Sequence, residues 1–280
     1  MNLSKTKIIK SCGKFLPQNV KNLIKFSIVK FYRFCSLVVY RVMKRPERTA
    51  LYTIKGGGII LSFDDHHVND WYNADEVLNK NHWKATFSVS NFTSLDKKDV
   101  EKLKILQSKG HEIAAHGNNH LNALEFISSH TIYKYIDTEV LPSLTAMTDQ
   151  GLKVSSFAYP FGARKKEVDK VLLKYFMMLR GTTYGKKAPS THNNYANGSR
   201  VVFGLGIDQN YGNDINYILR MLRYAKDHNK IAVFYSHHIQ QGNPNGYITS
   251  YKTLETICQF AIENNMQFMT LKDLAIITDV

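Results

Sequence analysis

Acidic residues are almost missing from the start of the chain. Residues 1–50 hold twelve Lys and Arg against one acid, Glu47, a net +11, whereas the remaining 230 residues hold 25 basic and 22 acidic side chains, a net +3. The formal charge of +14 thus belongs to an arm rather than to the body. A nucleic-acid enzyme carries basic surface on its body as well, so nucleic acid is not the expected partner. Cysteine is scarce. Cys12, Cys35 and Cys258 are odd in number and lack C-x-x-C spacing, which excludes a disulfide framework or a cysteine zinc site and fits a reducing compartment. Long apolar runs are missing from the arm. Its longest uncharged apolar stretch, Phe34 to Tyr40, has seven residues, far short of the roughly 20 that cross a bilayer. It lies far from Met1 and lacks a small-residue cleavage site, so no signal peptide is expected either.

Two readings of the arm remain open. Between Val20 and Met43 an apolar, aromatic segment is punctuated by Lys21, Lys25, Lys30, Arg33 and Arg41. Such a basic helix lies on an anionic membrane surface, which makes the protein cytoplasmic and peripheral on the inner membrane face. The other reading packs Phe26, Phe31, Phe34 and Val38 against the outside of the main domain.

From Gly56 onward the pattern is regular. The 280 residues are 44% hydrophobic, enough for a sizeable core, and the expected division is an arm at 1–50 and one catalytic domain at 51–280. Strand-like runs are expected at Ile59–Phe63, Ala85–Val89, Glu112–Ala115, Val154–Tyr159, Met177–Gly181, Val201–Ile207, Ile231–Ser236 and Gln267–Thr270. Helical patterns separate them at Lys98–Ser108, Ile127–Thr148, Lys165–Tyr175, Asn213–His228 and Tyr251–Asn264. This alternation predicts a distorted (β/α) barrel of seven or eight units, whose chemistry sits where strands end.

Reactive side chains fall at those ends. The run Ile59–Phe63 stops at Asp64-Asp65. Two adjacent carboxylates are costly to bury, and a metal relieves both. Glu112–Ala115 runs into His116-Gly117-Asn118-Asn119-His120. Imidazoles four apart share one face if the segment is helical, and with Asp65 they make a two-histidine, one-carboxylate set with open positions. The alternative is that both are loop and cap residues. The fourth run ends in Tyr159-Pro160-Phe161-Gly162, a rigid turn able to aim a backbone N–H at a ligand. The seventh ends at His237, where an imidazole suits acid–base work near neutral pH. His238 competes, and His237 is preferred because it follows the strand first.

Phe63-Asp64-Asp65, His116-x-x-x-His120, Tyr159-Pro160-Phe161-Gly162 and the late His237 together resemble the polysaccharide deacetylase family, carbohydrate esterase family 4, over roughly residues 56–277. The resemblance implies one divalent metal ion, usually Zn2+ with Co2+, Ni2+ or Mn2+ as alternatives, held by Asp65, His116 and His120. It implies Asp64 as general base, His237 as general acid and the Phe161 N–H as oxyanion donor. The implied substrate is an N-acetylated glycan, or an O-acetylated one, and the membrane reading of the arm makes it lipid-linked or nascent. Tyr159, Pro160, Phe161 and Gly162 would line the substrate, and Trp71 with Tyr72 is the candidate for stacking on a sugar. Two elements depart from the family pattern. Ala158 stands where an Arg commonly braces the base, with Arg164 or Arg200 as the expected substitute. The Asp-Trp pair that supports the acid is missing, with Asp208 as a candidate. These gaps leave a catalytically impaired glycan-binding relative open as a second reading. A non-enzymatic membrane-surface protein is a third, which leaves the Asp and His motifs unexplained.

Overall fold

The computed structural model of the protein describes residues 54–242 and 245–276. The basic arm at 1–50, with both of its readings, lies outside the described residues. Strands β1 (Gly58–Asp65), β2 (Ala85–Val89), β3 (Glu112–Ala115), β4 (Ser156–Ala158), β5 (Met178–Thr183), β6 (Val201–Gly206) and β7 (Ile231–Ser236) pair in parallel in chain order. β1 also pairs with β7, from Gly58↔Ile231 to Phe63↔Ser236, so the barrel closes at seven strands. The eighth expected strand, Gln267–Met269, pairs with β1 at Gly58–Ile60, before β2 joins at Leu61. It extends the barrel wall and takes no part in closure. Two further short strands follow β7. β8 (His238–Gln240) and β9 (Ile248–Ser250) form their own two-stranded sheet, and the Gln267–Met269 strand is β10.

Helix α1 (Val68–Leu78) joins β1 to β2, and the sequence pattern did not point to it. Its buried face, Val68, Trp71, Ala74, Asp75 and Leu78, has helical spacing, but a carboxylate interrupts the apolar stripe. Asp75 is fully buried and satisfied. Trp83 Nε1 donates to it at 3.1 Å, His111 Nε2 at 2.8 Å and Lys109 Nζ at 2.6 Å. His111 Nδ1 accepts the Ala85 N–H at 3.1 Å, so the imidazole proton sits on Nε2 and faces the carboxylate. Burial opposes the charge of Asp75, yet these bonds outweigh it and hold the carboxyl at about 2.

Helix α2 (Lys97–Ser108) packs Val100, Leu103 and Leu106 inward, as its periodicity predicts. The single long helix expected at Ile127–Thr148 is instead α3 (Ala123–Ser129), α4 (Ile132–Tyr135), a π-turn at Ile136–Val140 and α5 (Leu141–Asp149). Thr131 breaks the run by capping α4, accepting the Lys134 N–H at 3.1 Å. Pro142 has no N–H for the carbonyl four residues back, and the wider π-turn accommodates that gap. The π-turn buries Glu139 completely. Three further helices precede the last strand, α6 (Lys166–Leu172), α7 (Ile215–Asp227) and α8 (Tyr251–Glu263), and the one-turn α9 (Leu271–Leu274) follows it. Among the described residues no helix is long and apolar enough to cross a membrane.

Strand alternation sorts β1 into two faces. Phe63 packs on Phe87 and Trp83, with ring centroids 5.8 and 6.0 Å away, while Ser62 and Asp64 share the opposite, inner face.

Candidate metal and acid–base centre at the barrel mouth

Alternation would send Asp65 to the opposite face from Asp64. The backbone prevents this: Asp65 has φ +82°, which ends the strand and swings its carboxylate over the mouth. His120 (φ +57°) and Phe161 (φ +59°) also sit in the left-handed region. For residues with a Cβ such conformations cost about 1–3 kcal/mol each and cluster where function constrains the chain. Here three of them meet at one mouth.

Asp65, His116 and His120 offer ligand atoms that all lie within 4.8 Å of one another. Asp65 Oδ1 is 3.2 Å from His120 Nε2 and 3.7 Å from His116 Nε2, and the two Nε2 atoms are 3.2 Å apart. The histidines do not share a helical face. The segment between them is a loop, and it closes around the buried Glu139. That carboxylate accepts the Asn119 N–H at 3.1 Å, the Leu121 N–H at 3.0 Å and Asn119 Nδ2 at 2.7 Å. Gly117 is required there, because at φ +84° an added Cβ would stand 2.7 Å from Glu139 Oε2.

His116 Nδ1 lies 2.9 Å from the Ala158 carbonyl, which can only accept, so the proton is on Nδ1 and the Nε2 lone pair faces the cluster. Burial pushes the His116 imidazole down to about 4, which keeps it neutral as a metal ligand must be. Burial works against a charged Asp65, but hydrogen bonds from His120 and His67 hold its carboxyl below its ordinary value. Asp65 Oδ1, His116 Nε2 and His120 Nε2 converge closely enough for one divalent cation to bind all three. The donor set fits such an ion.

Asp64 is 3% exposed and has different neighbours. Its Oδ2 accepts from Arg180, itself fully buried on β5, and its Oδ1 has no hydrogen-bond partner. The two arginines expected in this place are elsewhere. Arg164 forms an ion pair with Asp169, and Arg200 donates to the carbonyls of Met177 and Phe176. Arg180 is the register partner of Ala158 across the β4–β5 pair. The guanidinium therefore stands one strand away from the position in the family pattern, at the same height in the barrel.

Asp208 follows β6 and is completely buried. It lies 2.6 Å from His237 Nδ1 and also accepts from Ser236 Oγ at 2.5 Å and Thr249 Oγ1 at 3.1 Å. Burial opposes protonation of His237, but the Asp208 bond and the charges of Asp64 and Asp65 raise its pKa above the ordinary value. His238 turns away, with Nδ1 2.8 Å from Asp70 Oδ2 and its ring stacked on His67. His67 itself reaches Asp65 Oδ2 at 3.6 Å, a contact that no sequence motif signals.

Two residues expected to meet substrate do not face the mouth. Trp71 is fully buried, and its indole N–H donates to the His237 carbonyl at 3.0 Å, so it holds the acid's backbone and offers no face for a sugar. Tyr159 is fully buried too, with its hydroxyl on Asp169 at 2.8 Å. Pro160 is buried, Gly162 half-buried and Phe161 61% exposed. Gly162 has Thr182 Oγ1 1.9 Å from where its Cβ would be, so no larger residue fits in this turn. Among the described hydrogen bonds the Phe161 N–H has no acceptor in the protein.

A parallel seven-stranded barrel with a two-histidine, one-carboxylate cluster at its C-terminal mouth defines the class. Residues 53–178 match the family model described as polysaccharide deacetylase. Over that segment, just under half of its 280 residues, the chain resembles the polysaccharide deacetylase family. A gellan lyase from a Bacillus species is 28% identical over 144 residues, which is 51% of this chain but 5% of that protein. The chain thus spans a small fraction of that curated relative. A solved peptidoglycan N-acetylglucosamine deacetylase, in complex with an N-hydroxybenzamide compound, superposes with a TM-score of 0.55 at 15% identity, covering 80% of this chain and 91% of that one. A carbohydrate esterase family 4 pseudoenzyme from Bacillus anthracis gives a TM-score of 0.53 at 16% identity, covering 81% and 68%. At these identities the likeness is one of fold.

Proposed function

We propose that the protein is a metal-dependent hydrolase that removes N-acetyl, or O-acetyl, groups from a glycan. The observation that carries this reading is the divided pair at the end of β1: Asp65 faces two histidines while Asp64 faces Arg180. The family-model match over residues 53–178 supports the acetylated-glycan class, and a structural neighbour is described as a peptidoglycan N-acetylglucosamine deacetylase. A divalent ion held by Asp65, His116 and His120, most simply Zn2+, would lower the pKa of a water and polarise the acetyl carbonyl. Asp64 takes the proton of the attacking water through its free Oδ1, oriented by Arg180 at Oδ2. The Phe161 N–H donates to the oxygen that gains charge. His237, as imidazolium, protonates the departing sugar nitrogen, and Asp208 fixes its tautomer and stabilises its charge. Acetate and a free amino sugar result. The impaired-relative reading rests on two gaps; against it, Asp64 has Arg180 as a partner and His237 has Asp208.

The direct test is acetate release from an N-acetylated oligosaccharide. It should stop on chelation and return with Zn2+; metal-loaded protein that releases no acetate from any acetylated sugar would sink the reading. Purified protein is expected to carry about one divalent ion per chain, as a three-ligand site with open positions does. Elemental analysis of the His116→Ala/His120→Ala double variant should find less than about a tenth of that, and full occupancy would rule the cluster out.

The acid assignment predicts a pH effect with a definite sign. A pKa raised by Asp208 keeps His237 protonated to higher pH, and activity that needs the imidazolium is lost as pH rises through that value. Asp208→Asn should therefore move the alkaline limb of kcat/KM to lower pH and reduce kcat at neutral pH by about tenfold or more. An unmoved limb in the pH–rate profile would assign the acid elsewhere.

A further inference from the structure

The aromatic side chains that could meet a sugar are not those the sequence suggested. Few large apolar side chains are exposed among the described residues, and three of them stand around one half of the mouth. Phe161 follows β4 at 61% exposed, Tyr184 follows β5 at 54%, and Tyr247 precedes β9 at 56%. Tyr211, in the turn after β6, bridges them, its ring 6.2 Å from Tyr184 and 6.0 Å from Tyr247. The series runs into the centre at both ends. The Phe161 ring is 4.7 Å from that of His120, and the Tyr247 ring is 5.0 Å from that of His237. Ring contacts thus run from Tyr184 through Tyr211 and Tyr247 to the candidate acid, and the Tyr184 hydroxyl links them to the Phe161 backbone, whose ring lies against the candidate metal ligand. The opposite half of the mouth is polar, with His66 and His67 after β1, Asn91 after β2 and Asn118 after β3.

The arc is built in place. Tyr211 packs where Gly206 leaves room, since a Cβ there would come within 2.3 Å of its ring. Its ring is 5.4 Å from that of Tyr235, and the Arg180 guanidinium lies 5.0 Å from the Tyr235 ring. Tyr184 is held through its hydroxyl, which accepts from Thr182 Oγ1 at 2.7 Å and reaches the Phe161 carbonyl at 3.5 Å. Exposed aromatic rings such as Phe161, Tyr184 and Tyr247 offer large apolar contact at low entropy cost. A pyranose matches this arrangement, since its C–H face is apolar and its hydroxyl rim is polar. A lipid chain or an apolar helix would leave the hydroxyls and imidazoles along the arc unpaired.

We propose that Phe161, Tyr184, Tyr211 and Tyr247 form a sugar-stacking wall that takes at least one pyranose adjoining the acetylated unit, so that the substrate is a chain of pyranoses and not a single sugar. This rests on the glycan reading of the site.

The test compares an N-acetylated tetrasaccharide with p-nitrophenyl acetate, which has no adjoining sugar, using the metal-loaded full chain. Tyr184→Ala and Tyr247→Ala should each reduce the ratio of kcat/KM on the tetrasaccharide to that on the ester by about tenfold, the effect of one ordinary aromatic contact. Tyr184→Phe, which keeps the ring, should retain most of the ratio. An unchanged ratio in the Tyr184→Ala/Tyr247→Ala double variant would overturn the wall, as would an equal fall on both substrates. Calorimetric titration with the same tetrasaccharide separates this from failure of the glycan reading. Binding by the wild type that is lost in the double variant supports the wall even where no acetate is released; equal binding by both, or none by the wild type, overturns it.

Discussion

Asp64→Asn is expected to lower kcat by about 10²- to 10⁴-fold while leaving metal content near one ion per chain. Asp64 and Asp65 are adjacent and chemically alike, so any difference between them must come from their surroundings. The positive φ of Asp65 points its carboxylate at His116 and His120, and Asp64 stays on the inner face of β1 against Arg180. An amide at position 64 preserves size and can still turn its oxygen toward the guanidinium, but it cannot take a proton. Asp65→Asn should behave differently. It removes the anionic member of the ligand set, so metal content falls first and activity falls with it. Elemental analysis beside steady-state kinetics separates the two variants. If both lose metal to the same extent, the two aspartates share one role and the division proposed here is wrong.

Much of the barrel was legible because its strands are short apolar runs with hard stops. β2, β3 and β7 lie where the sequence places them, and the reactive residues fall at strand ends because parallel strands deliver their C-terminal ends to one mouth. What was not legible has a common physical cause. α1 was hidden by Asp75, a buried carboxylate whose partners, Trp83, Lys109 and His111, come from 8 to 36 residues further along the chain. Trp71 looked like a sugar platform because a sequence cannot say which side of a helix faces the core. The long expected helix was broken by Thr131 and Pro142, each an ordinary residue whose effect depends on place. The expected substitutes, Arg164 and Arg200, lie on either side of Arg180 in sequence, and it is Arg180 that sits on the strand next to Ala158. A usable signal was present. Arg180 is the lone charge in the run Met178-Leu179-Arg180-Gly181-Thr182-Thr183, and a charge in a buried strand must have a partner. Read that way, Arg180 calls for a carboxylate inside the barrel, and Asp64 is the carboxylate at a strand end without an assigned counter-charge.

That pairing makes Arg180→Ala the most damaging substitution expected away from the reacting atoms. Removing one member of a buried pair leaves the other charged and unpaired, at a cost of about 3–5 kcal/mol. Asp64 would be left uncompensated beside a cluster that already holds Asp65, and the cation over the Tyr235 ring would go with it. Thermal stability should drop sharply, and kcat should fall by about 10² or more because the proton acceptor is no longer held in place. A fall in activity alone would not distinguish bracing from general damage to the fold, so the informative variant moves the arginine. Ala158 and Arg180 are register partners in a parallel pair, so side chains from both positions start at the same level of the barrel. The variant Ala158→Arg/Arg180→Ala returns the guanidinium to β4, where the family pattern has it, and should recover at least about tenfold in kcat over Arg180→Ala. Added guanidinium ion should partly restore Arg180→Ala as well, by filling the space left beside Asp64, and should do nothing for Asp64→Asn. Arg180→Ala with wild-type kcat would dismiss the brace outright. A folded Arg180→Ala variant that neither the relocated arginine nor free guanidinium improves would leave Arg180 as a packing residue of the barrel interior.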